Sequence, residues 1–227
     1  MKNKSYIWIS FIVLIFGIIF IPRIVDRIKE GKVTDADRHS IGKSEKIEEK
    51  LSVIGKAPSF EFVNQYNDTI TENDYKGKVY LVEFFFTTCP TICPVMNKNM
   101  IKIQNEFKNE EDFAIASFTI NPQHDTPKIL KAYADKYGVN NPSWHMLTGD
   151  IDEVYKLANK GYNLYAGQNA SAEGGFEHSG MFALIDKNGN IRSRKDVNGN
   201  PIVYYDGIED EGVSMLKEDI AQLLKEQ

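Results

Sequence analysis

Apolar residues fall along this chain in blocks whose period changes from one block to the next. Val79-Tyr80-Leu81-Val82-Glu83-Phe84-Phe85-Phe86 is almost continuously apolar and rich in β-branched or aromatic side chains, the pattern of a buried strand. Beyond it, Met96, Met100, Ile103 and Phe107 recur at helical spacing, and Pro94 suits a first helical turn. Phe113 to Ile120 reads as a second buried strand. Asp125-Thr126-Pro127 then opens a helix, with Thr126 as cap, an apolar face of Ile129, Leu130, Tyr133, Ala134 and Tyr137, and Gly138 as its stop. Trp144 to Thr148 is a short strand, and Asp150 caps a helix buried through Ile151, Val154, Tyr155 and Ala158. Met181 to Ile185 and Ile191 to Ser193 flank Asn188-Gly189, a strong hairpin signal. Upstream, Phe60 to Val63 and Thr69 to Thr71 flank a plausible opening hairpin, and Val213, Leu216, Ile220, Leu223 and Leu224 mark a closing helix.

Strand, helix, strand, helix, then a hairpin and a final helix is an α/β arrangement with a mixed central sheet. No internal repeat is visible, and residues 57–227 read as one domain. Two segments precede it. Tyr6 to Ile21 is apolar except for Ser10 and Gly17, about the minimum for crossing a bilayer, and no small-x-small cleavage site follows. Residues 1–22 are therefore expected to form an uncleaved transmembrane helix. Residues 23–56 are strongly charged and poor in large apolar side chains, and read as a spacer containing His39. Lys2 and Lys4 precede the apolar run while Arg23, Arg27, Lys29 and Lys32 follow it, a balance that by itself places the domain in the cytoplasm.

The formal net charge is −5, and the basic residues are scattered without a stripe of interleaved aromatics, which gives nucleic-acid binding no support. The chemistry gathers elsewhere. Cys89 and Cys93, the only cysteines, stand four positions apart where the first buried strand hands over to a helix. Unpaired N–H groups and the positive end of the helix dipole favour thiolate there, and residues four apart on a helix share a face. Such a pair can form a disulfide, transfer electrons or hold a soft metal, or be structural, and the spacing does not choose. Two cysteines at the first strand-to-helix junction is the plan of the thioredoxin fold.

Residues 161–177 form a long Gly- and Ala-rich connection ending in Glu177-His178-Ser179-Gly180, directly before the strand Met181 to Ile185. In a thioredoxin plan that strand lies near the cysteines, which makes His178 a candidate third ligand. Two thiolates and an imidazole suit Cu(I), with Cu(II) accepted given an added ligand, while zinc requires a fourth donor. His124 reads as part of a solvated turn, His145 as packed beside Trp144, and Met96 and Met100 as core.

The chain resembles the Sco/SenC copper-binding proteins through Gly77 to Val82, Phe84 to Pro94, Asn121-Pro122-Gln123-His124-Asp125-Thr126-Pro127, Trp144 to Gly149, and His178 ahead of Phe182 to Asp186. The resemblance implies a thioredoxin-like fold, a single membrane anchor and an extracytoplasmic domain, and the expected membrane is a bacterial-type cytoplasmic membrane or its equivalent. It carries copper-ligand roles onto Cys89, Cys93 and His178, and implies delivery of copper to the binuclear centre of the copper-bearing cytochrome c oxidase subunit, or reduction of that subunit's own cysteines. One departure is visible: Asn121 stands where the family usually has Asp in its DPxxDTP block. Asp125 keeps the second carboxylate, read as stabilising the turn and helix start. Against a thiol–disulfide oxidoreductase stand the CxxxC spacing and the absence of proline in His178-Ser179-Gly180. Against a peroxide-reducing enzyme stands the absence of any arginine between Arg38 and Arg192.

Overall fold

The computed structural model describes residues 50–226 together with Leu14, Phe16 and Pro22. Apart from those three, the expected anchor at 1–22 and the spacer as far as residue 49 lie outside the described residues. Among the described residues no helix is long and apolar enough to cross a membrane. The chain enters as strand β1 (Ser52–Lys56), followed by the opening hairpin of β2 (Glu61–Val63) and β3 (Thr69–Thr71). Next come β4 (Val79–Phe85), helix α1 (Cys93–Glu106), β5 (Phe113–Thr119), helix α2 (Pro127–Tyr137), β6 (Trp144–Leu147) and helix α3 (Ile151–Lys156). The short strands β7 (Ala166–Gln168) and β8 (Phe176–His178) lead to β9 (Met181–Ile185), β10 (Asn190–Ser193), β11 (Tyr205–Asp206) and helix α4 (Asp210–Lys225).

The main sheet runs β1-β10-β9-β4-β5-β6, with β11 paired to β9. Parallel pairing of β4 with β5 and of β5 with β6 requires crossover helices, which α1 and α2 supply. The remaining pairs are antiparallel, so the sheet is mixed as expected. Strands β4 and β5 are buried along their whole length because both faces are covered. Phe84 meets Phe118 at 5.5 Å and Tyr162 at 6.2 Å on one side, while Phe85, its neighbour across the pleat, meets Tyr133 of α2 at 5.6 Å. Each such ring contributes roughly 1.5–3 kcal/mol on burial. Arg194 ties α4 down through Asp219, at 2.9 and 2.7 Å, and Tyr205 donates to the same carboxylate at 2.6 Å.

Three elements differ from the sequence reading. Strand β1 takes in the end of the segment read as spacer: Ser52, Val53, Gly55 and Lys56 pair with β10, so the fold begins near residue 50 and not at Ala57. The helix capped by Asp150 continues past Lys156 as a π-helix over Leu157–Tyr162 and ends at Asn163 in the left-handed region. Gly161 is required in that turn, since a Cβ there would lie 2.9 Å from Pro58. The Gly-rich connection is also not structureless. It forms the β7–β8 hairpin with a 3-10 turn at Glu173–Gly175, and its three-residue strands are too short to show a period.

Candidate metal centre

Strand β4 delivers the chain to the carboxyl edge of the sheet, where open α/β folds bind their ligands. Only Cys93 lies in the helix. It opens α1 with Pro94 behind it and no exposed surface, whereas Cys89 sits in the preceding loop with 9% exposure. The shared-face argument therefore fails, and the loop is what brings the sulfurs together. Ile92, at the N-cap, makes no side-chain capping bond. The N–H groups of Thr91 and Cys93 instead turn to the Cys89 sulfur. Neither cysteine is in a disulfide.

His178 reaches the pair from the β7–β8 hairpin, with Nε2 3.0 Å from Cys93 Sγ. Its Nδ1 lies 3.0 Å from the Ser179 carbonyl oxygen, which can only accept, so Nδ1 carries a proton and donates there, leaving Nε2 as the nitrogen turned to the sulfur. The ligand atoms of Cys89, Cys93 and His178 all lie within 4.8 Å of one another. The hairpin is held from both ends. At its root, Asn159 of the π-helix donates to the Ala166 carbonyl and accepts from the Ala166 N–H. At its tip, Gly174 (φ 83°) lies so close to Phe86 that a Cβ would come within 2.9 Å of the ring. Phe86 also packs on Phe176 at 5.3 Å and on His178 at 6.0 Å, and so joins the cysteine loop to the histidine hairpin.

The two thiols divide one proton unequally. The hydrogen bond from Cys93 is the largest influence on Cys89 and, with His178 and the two backbone N–H groups, outweighs burial and lowers it to about 3. The same bond and burial push Cys93 far above the ordinary thiol range. The centre is thus one thiolate, one thiol and one imidazole, a soft donor set that a soft cation fits once the thiol proton is displaced.

Of the other described histidines neither joins the three donors, although His124 Nδ1 lies 3.4 Å from Thr87 Oγ1 of the cysteine loop and 2.8 Å from Asp125. His145, on β6, contacts Asn64 through Nδ1 at 3.2 Å, and His39 is outside the described residues. Met96 and Met100 are fully buried in the core. Two acidic residues carry more than the sequence suggested. Asp125, read as a turn stabiliser, is fully buried, and its carboxylate holds Thr87 of the cysteine loop at 3.0 and 2.5 Å. Glu83 is fully buried in β4, where Ser117 Oγ donates to it at 2.6 Å. A charged residue inside an otherwise apolar strand was the available signal for Glu83. None existed for the pairing of Asp125 with Thr87, 38 positions away.

Comparison with known proteins places this geometry. The SCO1/SenC family model matches residues 50–211. The SCO1 protein homolog of Bacillus subtilis is 34% identical over 151 residues, covering 66% of this chain and 77% of its own. The solved structure of BsSco, described as a member of the Sco family of cytochrome c oxidase assembly proteins and as containing a disulfide switch, superposes with a TM-score of 0.64. It is 27% identical and covers 78% of this chain and 98% of its own. Yeast Sco1 with copper bound superposes with a TM-score of 0.56 at 26% identity, covering 76% and 90%. The thioredoxin-like reading of the fold stands with these neighbours.

Proposed function

The chain belongs to the SCO1/SenC family, and from that premise we propose that it carries copper on Cys89, Cys93 and His178 and hands it to the copper-bearing subunit of cytochrome c oxidase. The observation that carries this reading is the convergence of the three donor atoms within 4.8 Å, with His178 Nε2 3.0 Å from the Cys93 sulfur. Copper is cargo here. Cu(I) matches two sulfurs and an imidazole without further ligands, and Cu(II) is accommodated with an added one. Loading replaces the proton that Cys93 retains, and Ser179 holds the ring of His178 in place for it. Release proceeds by ligand exchange from the Cys89 side, where Thr88, Pro90 and Thr91 are exposed and Cys93 is not. The apolar run Tyr6 to Ile21 supports a single membrane anchor, and the working cysteine pair supports an extracytoplasmic domain against the balance of flanking Lys and Arg.

The test is an anaerobic Cu(I) titration of the reduced chain against a competing chelator. One tightly bound copper is expected, weakened about tenfold or more in His178→Ala. Tight binding retained in both Cys89→Ser and Cys93→Ser sinks the site. A second reading, reduction of the oxidase subunit's own cysteines, draws support from the strongly lowered Cys89, an attacking thiolate beside a resolving thiol. Turnover of a disulfide substrate by the metal-free chain, undiminished in His178→Ala, would favour it over copper delivery.

A further inference from the structure

Asp125 exposes no surface, and its carboxylate is approached from three directions. From the cysteine loop, the Thr87 N–H donates to Oδ2 at 3.0 Å and Thr87 Oγ1 to Oδ1 at 2.5 Å. From the sheet, Thr119 Oγ1 donates to Oδ2 at 2.5 Å. From the half-exposed surface of its own turn, His124 Nδ1 lies 2.8 Å from Oδ1. These four contacts use the roughly four acceptor positions a carboxylate has. The group is rigidly mounted as well: the Asp125 N–H donates to the Asn121 carbonyl at 2.9 Å, and α2 begins two residues on.

The loop held on the other side is short, and within it Cys89 Sγ meets Thr91 Oγ1 at 3.7 Å. It runs from Thr87 to Ile92, and the Cys89 N–H donates to the Phe86 carbonyl at 3.2 Å. Cys93 is fixed by the first turn of α1, so the sulfur free to move is that of Cys89. We propose that Asp125 is a positioning residue whose contact with Thr87 is a latch, setting how often the Cys89 arm opens to accept or give up copper. The cargo is copper on the reading above, whereas the latch acts on Cys89 with or without it.

Because the Cys89 residue is only 9% exposed, a thiol reagent reaches it when the arm opens, and the rate follows the open population. Losing one hydrogen bond to a charged acceptor raises that population by about tenfold. Iodoacetamide labelling of the reduced, metal-free full chain, with Cys89 followed by peptide mapping, compares wild type with three variants. Thr87→Val keeps the side-chain volume and the backbone bond but removes the hydroxyl, and Thr87→Ser restores it. Thr119→Val removes an equally short bond to the same carboxylate from the sheet side and also loses the Asn121 N–H contact, the larger structural loss.

Labelling about tenfold faster in Thr87→Val, and close to wild type in both Thr87→Ser and Thr119→Val, is expected. No acceleration in Thr87→Val, or equal acceleration in the two valine variants, overturns the latch. Chains loaded with one Cu(I) and mixed with a chelator should release it in the same order of rates. A wild type that holds no copper removes the copper reading, while the labelling comparison still decides the latch.

Discussion

Glu83 offers a stability experiment whose size follows from its surroundings. The residue has no exposed surface, and Ser117 Oγ, which itself accepts from Trp144 Nε1 at 2.9 Å, donates to its Oε1. Its Oε2 has no partner. Burial pushes the carboxyl up from 4.5 to about 7, with the Ser117 hydrogen bond and the nearby His178 pulling it partway back. The unfolded chain releases this proton near the ordinary value and the native chain only near 7, so across that window the native state binds more protons. Stability contributed by the neutral carboxyl is present below the lower value, falls as pH rises through the window and levels off above it. At about 1.4 kcal/mol per pH unit the full loss is on the order of 3 kcal/mol. Glu83→Gln keeps the shape of the protonated form and cannot ionise. It should match wild type near pH 4.5 and exceed it by on the order of 3 kcal/mol near pH 8, a urea midpoint about 1–2 M higher. Urea unfolding of the reduced, metal-free chain at several pH values measures the gap. A gap that stays constant with pH, or a glutamine variant less stable near pH 8, would refute the reasoning.

Removing the sulfur that shares its proton with Cys89 should return Cys89 toward the ordinary thiol value of 9, because that hydrogen bond is the largest cause of its lowering. Iodoacetamide rates at Cys89 should then climb steadily above neutral pH in Cys93→Ala, which has no side-chain donor, where wild type is already flat from acid pH; identical profiles would contradict the shared proton. Gly174→Ala combines a left-handed backbone with a Cβ 2.9 Å from Phe86. It should cost about 1–3 kcal/mol in thermal unfolding and weaken Cu(I) binding by displacing His178. Copper affinity unchanged beside a lowered melting temperature would separate the hairpin tip from the site.

How much of this was legible in the chain depends on the range of each interaction. The runs Val79 to Phe86 and Phe113 to Ile120 determined two central strands, because a segment buried on both faces has no polar side to show. Pro127 and Gly138 bounded α2 by local backbone chemistry alone, and Asn188-Gly189 determined the β9–β10 turn for the same reason. The spacing of Cys89 and Cys93 at a strand-to-helix junction marked the centre, and the residues around them carried the family resemblance. Tertiary structure decided what no local pattern encodes. Strand β1 has a weak pattern of its own and is stabilised by pairing with β10. The three-residue strands β7 and β8 hold because they pair with each other and their tip rests on Phe86. That packing aims His178 at a sulfur 85 positions earlier in the chain. Asp125 looked like a turn residue because its main partner, Thr87, is reached only when β4 and β5 lie side by side. Local sequence sets φ, ψ and periodicity; contacts between distant segments form only when the whole core closes, and the metal centre is made of such contacts.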